Sequence, residues 1–111
     1  MALDKTNNNL AYLAGRAFAL LQEAETRLKG NDVDLVTYKL AKEIQTSPRQ
    51  YFAYMMGKYY RGLDSSLDEE MTEIMDKVPS SGLPEHLSIE DQSVFAVGYQ
   101  HERSYLEGLA Q

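Results

Sequence analysis

Cysteine is absent from the 111-residue sequence, which excludes a disulfide framework and thiolate chemistry. Proline occurs three times and glycine seven, and their clusters are short: Lys29-Gly30, Arg61-Gly62 and the run from 78 to 84. None is long enough for a linker, so the chain reads as one domain, 1–111. No apolar run approaches the roughly 18 residues of a spanning helix. Residues 1–9 carry no apolar segment after a basic start and do not read as a signal peptide. The expectation is a cytoplasmic protein without membrane association.

Reactive constellations are also missing. Histidine occurs twice, at His86 and His101, with no HExxH pattern. Helix geometry sets the two about 20 Å apart, too far to share an ion. Glu90 and Asp91 are adjacent and diverge by about 100° on a helix, so they form no acid/base dyad. Ser88 has no histidine placed to activate it, and there is no phosphate-binding glycine loop. The chain is expected not to be an enzyme, with no catalytic residue, metal or cofactor. His101 is expected as a half-buried ring beside Tyr105.

Strict alternation and Val/Ile/Thr-rich runs are scarce, which argues against strands. Helical periodicity recurs five times. The first helix is predicted over residues 8–28, with Leu10, Ala14, Ala17, Phe18, Leu21, Ala24 and Leu28 on one stripe and Gly30 at its end. Gly15 lies inside it, where close approach of a second helix at Ala11, Ala14 and Gly15 offsets its cost. A second helix is predicted over 33–45, with Leu35, Val36, Leu40 and Ile44 inward. The third opens at Ser47-Pro48-Arg49-Gln50, which reads as a capping box, and ends near Arg61-Gly62. The fourth opens at Ser66-Leu67-Asp68-Glu69, a second capping box with an acidic first turn. The fifth opens at Ser88-Ile89-Glu90-Asp91. The fold class is all-α, a compact bundle of four to five mostly antiparallel helices.

Charge is unevenly spread. Residues 1–63 hold nine Lys/Arg against six Asp/Glu, and residues 64–111 hold two against eleven, giving +3 and −9. The acidic half is either a solvated, solubilising surface or one that faces a basic partner. Residues 39–61 combine Lys39, Lys42, Arg49, Lys58 and Arg61 with many aromatics. At 100° per residue Tyr51, Phe52, Met55 and Tyr59 fall together and read as core. Tyr54, Lys58 and Arg61 fall on a neighbouring face. That face is either an ordinary exposed surface or a place for a phosphate backbone, with tyrosine stacking or donating a hydrogen bond.

Three blocks carry a resemblance. Asn9-Leu10-Ala11-Tyr12-Leu13-Ala14-Gly15-Arg16-Ala17-Phe18 resembles the NLAYLLGRLFALLE stretch in the C-terminal part of the large subunit of type I-C CRISPR Cascade complexes. Thr46-Ser47-Pro48-Arg49 with Phe52 is similar to that family's ATP-plus-aromatic segment, although Tyr59-Tyr60-Arg61 stands where paired histidines are usual. Leu83-Pro84-Glu85-His86-Leu87-Ser88-Ile89-Glu90-Asp91-Gln92, with Phe95, Gly98, Tyr99 and His101, resembles its FPxHLSLEDQGxFALGYYHQ ending. The resemblance implies a small subunit of that complex, which in such systems is made from an internal start within the large-subunit gene; a stand-alone homologous gene or a trimmed piece of the large subunit would look the same. Such a subunit is a non-catalytic helical bundle present in more than one copy. It contacts the backbone and large subunits of the crRNA-guided complex and other copies of itself, and it helps hold the displaced DNA strand weakly and without sequence preference. The candidate nucleic-acid contacts are Arg16, Lys39, Lys42, Arg49, Tyr54, Lys58 and Arg61. The alternative is a protein-interaction module, or a mimic of the small subunit that antagonises the complex through its acidic face without binding nucleic acid.

Overall fold

Between Leu10 and Leu21 the sequence offers one charge, Arg16, and no polar face. A helix that is apolar all round belongs inside. In the computed structural model, which describes residues 3–29, 43–44 and 46–110, this segment forms α1 (Leu10–Lys29), and every residue from 11 to 21 is buried. The Asn9 side-chain oxygen starts it by accepting from the Ala11 amide at 2.9 Å and the Tyr12 amide at 3.3 Å. Such a cap satisfies donors that have no partner within the helix.

Among the described residues three further helices surround α1: α2 (Pro48–Tyr59), α3 (Ser65–Asp76) and α4 (Ile89–Ala110), with a 3₁₀ turn at Tyr60–Gly62 after α2. No strand occurs among the described residues, so the all-α expectation holds. The predicted second helix over 33–45, with Gly30, lies almost wholly outside the described residues. Its Ile44 is fully buried.

Paired side chains give the directions. Phe18 meets Phe52 at 5.9 Å between ring centroids, and Tyr59 meets Glu25 seven residues further along each helix. The two helices therefore run parallel, so antiparallel packing does not extend to this pair. α3 runs antiparallel to α1, since Asp64, Glu70 and Lys77 lie against Arg27, Arg16 and Lys5. α4 crosses α1 at the glycines. A Cβ on Gly15 would lie 2.1 Å from the Phe95 carbonyl oxygen, and one on Gly98 would lie 2.3 Å from that of Tyr12. The close approach expected at Gly15 is present, and Gly98 supplies its counterpart. α2, α3 and α4 each pack on α1 and hardly on one another.

Helix starts depart from the sequence reading in two places. Ser47 makes no side-chain cap bond to α2. The Arg49 amide instead donates to the Pro84 carbonyl at 3.1 Å, so the loop before α4 does the capping. α3 is capped by Asp64, not Ser66: Asp64 Oδ1 accepts from the Leu67 amide at 3.0 Å and from the Ser66 hydroxyl at 3.0 Å. Ser66 thus supports the cap from inside the first turn. Ser88 caps α4 as expected, accepting from the Asp91 amide at 3.1 Å.

Candidate nucleic-acid interface

α2 divides its side chains as the 100° projection requires. Met55 and Tyr59 are buried, and Tyr51 and Phe52 are half-buried against the core. The Tyr59 hydroxyl donates to Glu25 Oε2 at 3.0 Å inside the protein. Burial, then the hydrogen bond and charge of Glu25, raise its pKa well above the usual tyrosine value. Tyr59 is a packing residue with its polar atom engaged.

The neighbouring face is open. Tyr54 is 51% exposed, and Lys58 Nζ lies 5.3 Å from the centre of its ring. That distance is within cation–π range. Arg61 is exposed on the 3₁₀ turn, beside Tyr60 at 58% exposure. Neither Lys58 nor Arg61 makes an ion pair among the described residues.

The structure adds Lys29, which the sequence reading did not include. Its Nζ lies 5.3 Å from the Tyr59 ring centre. Because α1 and α2 run parallel, their C-terminal ends meet. Gly62 makes the meeting possible, since a Cβ there would lie 2.3 Å from the Ala24 carbonyl oxygen. Lys29, Lys58 and Arg61 therefore gather at one end of the molecule. Cations at helix C-termini also complement the helix dipole. The clue to Lys29 was its place in the last turn of α1, but only the parallel pairing brings it to α2.

The other candidates lie elsewhere. Arg49 sits at the opposite end of α2, about 14 Å along the axis from Lys58 by helix rise. Its Nε donates to the Leu83 carbonyl at 2.7 Å and its Nη1 to Glu85 at 2.8 Å, so it pins the loop before α4. Lys39 and Lys42 lie outside the described residues.

Arg16 is a correction. It is 0% exposed and does not reach the surface where a phosphate would lie. Its Nε donates to Glu102 Oε1 at 2.8 Å and its Nη2 to Glu70 Oε2 at 3.3 Å. A buried guanidinium needs such partners, because an unpaired charge in the interior is costly. Glu70 also accepts from Lys5 at 3.1 Å. Burial pushes the Glu102 carboxyl up to about 8, reinforced by the hydrogen bond and charge of Glu70 and opposed by Arg16. Burial also acts on Glu70, but hydrogen bonds from Glu102 and Lys5 outweigh it and hold its pKa below the usual value. The two carboxyls are thus pushed in opposite directions, Glu102 up and Glu70 down. Arg16, Glu70 and Glu102 thereby join α1, α3 and α4.

His101 is half-buried as expected, but its partner is Tyr12. The two rings stand edge-on with centroids 5.6 Å apart, and His101 Nδ1 is 2.8 Å from the Tyr12 hydroxyl. Tyr105 contacts Lys5 instead. The crossing at Gly98 brings Tyr12 of α1 against His101 of α4. Among the described residues no His, Cys, Asp and Glu group is placed to hold a metal ion, and no helix is long and apolar enough to cross a membrane.

No curated protein matches the chain. A family model matches residues 1–106. That match spans the described helices almost to their end, and the chain belongs to the CRISPR-associated protein family Cas_Csd1.

Proposed function

We propose that this chain is the non-catalytic small subunit of a type I-C Cascade surveillance complex. In this reading it supports assembly and holds the displaced non-target DNA strand by sequence-independent contacts. It works in the cytoplasm with the backbone and large subunits, the crRNA-guided complex and other copies of itself. Membership of the CRISPR-associated family and the three sequence blocks support the setting. The observation that carries strand binding is the solvent-facing group Tyr54, Lys58 and Arg61, joined by Lys29 and free of acidic partners among the described residues. Cations hold phosphates, and an exposed ring offers a stacking surface that tolerates any base. Lys39, Lys42 and Arg49 are secondary contacts in this reading. With an overall charge of −6 the affinity is weak and strongly salt-dependent.

The test is the double charge reversal Lys58→Glu/Arg61→Glu. Single-strand affinity at low salt is expected to fall about tenfold or more, with a shallower salt slope and impaired R-loop formation. Unchanged single-strand binding and R-loop formation at low and moderate salt would overturn the strand-holding role.

A second reading is favoured by the exposed acids Asp68, Glu69 and Asp76 on α3. In it the chain is a protein-interaction module, or a small-subunit mimic that occupies a nucleic-acid site on the complex. Adding the protein to a complex that lacks its small subunit separates the two. Restored target binding fits a subunit, and lost binding fits an antagonist.

A further inference from the structure

α3 and α4 both rest on α1 and barely on each other. A groove opens between the first turns of α3 and the last turns of α4. Two hollows of about 210 and 240 Å³ make up this groove, and both are lined by Ser66, Leu67, Leu106 and Leu109. Leu67 and Leu106 are buried and form the floor, while Leu109 stands at the edge at 62% exposure. Glu69 on the α3 side and Glu107 on the α4 side flank it, and both are exposed. Neither makes an ion pair among the described residues, whereas Lys5 and Arg27, the cations in the lining, are engaged with Glu70 and Glu73 and with Glu23 and Asp64. Apolar floor and acidic walls make a surface with a definite complement.

We propose that the groove between α3 and the end of α4 docks a basic, amphipathic segment of a protein partner, with an aliphatic side chain of that segment against Leu67, Leu106 and Leu109 and its lysines or arginines on Glu69 and Glu107. Charge complementarity selects this occupant. The lining of the two hollows holds five carboxylates, Glu23, Glu69, Glu70, Glu73 and Glu107, against the two cations Lys5 and Arg27, so a phosphate backbone is repelled here and a basic protein segment is attracted. An apolar floor rewards a side chain that leaves water, which a merely solvating acidic face does not. The proposal is independent of strand binding at the basic end, because no residue is shared between the two surfaces.

The experiment titrates the full chain with a short amphipathic peptide of lysine and leucine, and with its scrambled isomer of equal charge, following backbone amide resonances. The amphipathic peptide is expected to bind about tenfold more tightly than the scramble. The largest changes should fall at Ser66, Leu67, Leu106 and Leu109. Leu109→Gln, a change at a mostly exposed position, should abolish the difference between the peptides. Glu69→Lys/Glu107→Lys should weaken binding of both, and Lys58→Glu/Arg61→Glu should leave both unchanged. Equal affinity for the two peptides would overturn the proposal. So would a preference that survives Leu109→Gln, or shifts centred on the Tyr54–Arg61 end. Displacement of the peptide by single-stranded DNA competing for the same amides would assign the groove to nucleic acid instead.

Discussion

Gly15 and Gly98 face each other's helix backbones where α1 and α4 cross. A Cβ on Gly15 would meet the Phe95 oxygen at 2.1 Å and the Tyr99 nitrogen at 2.7 Å, and one on Gly98 the Tyr12 oxygen at 2.3 Å. These contacts are backbone and cannot rotate away. Alanine at either position therefore has to push the helices apart, at about 3 kcal/mol or more in urea unfolding. Gly57 is the internal control. Nothing lies within 4 Å of its Cβ position, so Gly57→Ala should stabilise α2 by roughly 0.5–1 kcal/mol.

Arg16 should behave as a fold residue and not as a strand contact. Arg16→Met keeps much of the volume but leaves the Glu70–Glu102 pair without its buried cation. The expected loss is about 3–5 kcal/mol, measured by urea unfolding. Lys58→Glu/Arg61→Glu should lower strand affinity with little change in stability, since both side chains are exposed. A single-strand salt slope that fell with Arg16→Met in still-folded protein would reverse this division.

Glu102 makes stability depend on pH. Its carboxyl is raised from 4.5 to about 8 in the folded state, so the folded protein holds a proton that the unfolded chain has already released. The contribution is complete below about pH 4.5 and is lost as pH rises through about 8. The loss should be on the order of a few kcal/mol. Glu70 acts in the opposite sense, because its pKa is lowered: its contribution is present above 4.5 and lost on acidification. Glu102→Gln keeps a hydrogen-bond donor without a proton to lose. Unfolding midpoints measured across the pH range should show the alkaline decline flattened in this variant and the acid limb retained.

The cap of α3 can be located by a pair of substitutions. Asp64→Ala removes the oxygen that accepts from the Leu67 amide and should cost about 1 kcal/mol. Ser66→Ala removes only a supporting hydroxyl and should cost less. The reverse order would return the cap to Ser66.

The legible parts of this fold were those with a local cause. The inward set Tyr51, Phe52, Met55 and Tyr59 follows from helical period alone, as does the cap at Ser88. Gly15 announced a close approach because a mid-helix glycine needs a reason. What escaped depends on residues far apart in the chain. Ser47 looked like a cap, but the Pro84 carbonyl reaches the Arg49 amide first. Asp64 and Ser66 are both competent caps, and only the loop geometry before α3 selects Asp64. Lys29 joins Lys58 and Arg61 only because α1 and α2 run parallel. Arg16 is a candidate contact by its charge, yet the sequence carries a signal against it. It is the lone charge in a twelve-residue stretch, 10–21, that has no polar face, and such a residue is an interior one with partners on other helices.

An architecture in which three helices lean on one and scarcely on each other resembles spokes on a hub. α2 can open without disturbing the buried Arg16 cluster, whereas α3 and α4 are held to the hub together by it, so local opening need not pass through global unfolding. The amides of residues 11–21 would be the last to exchange with solvent, because they are sealed from several sides. A partner gripping the outer face of α2 would then be holding an element with its own freedom to shift. Within a larger assembly the chain could adjust one spoke to a neighbour and keep its centre unchanged.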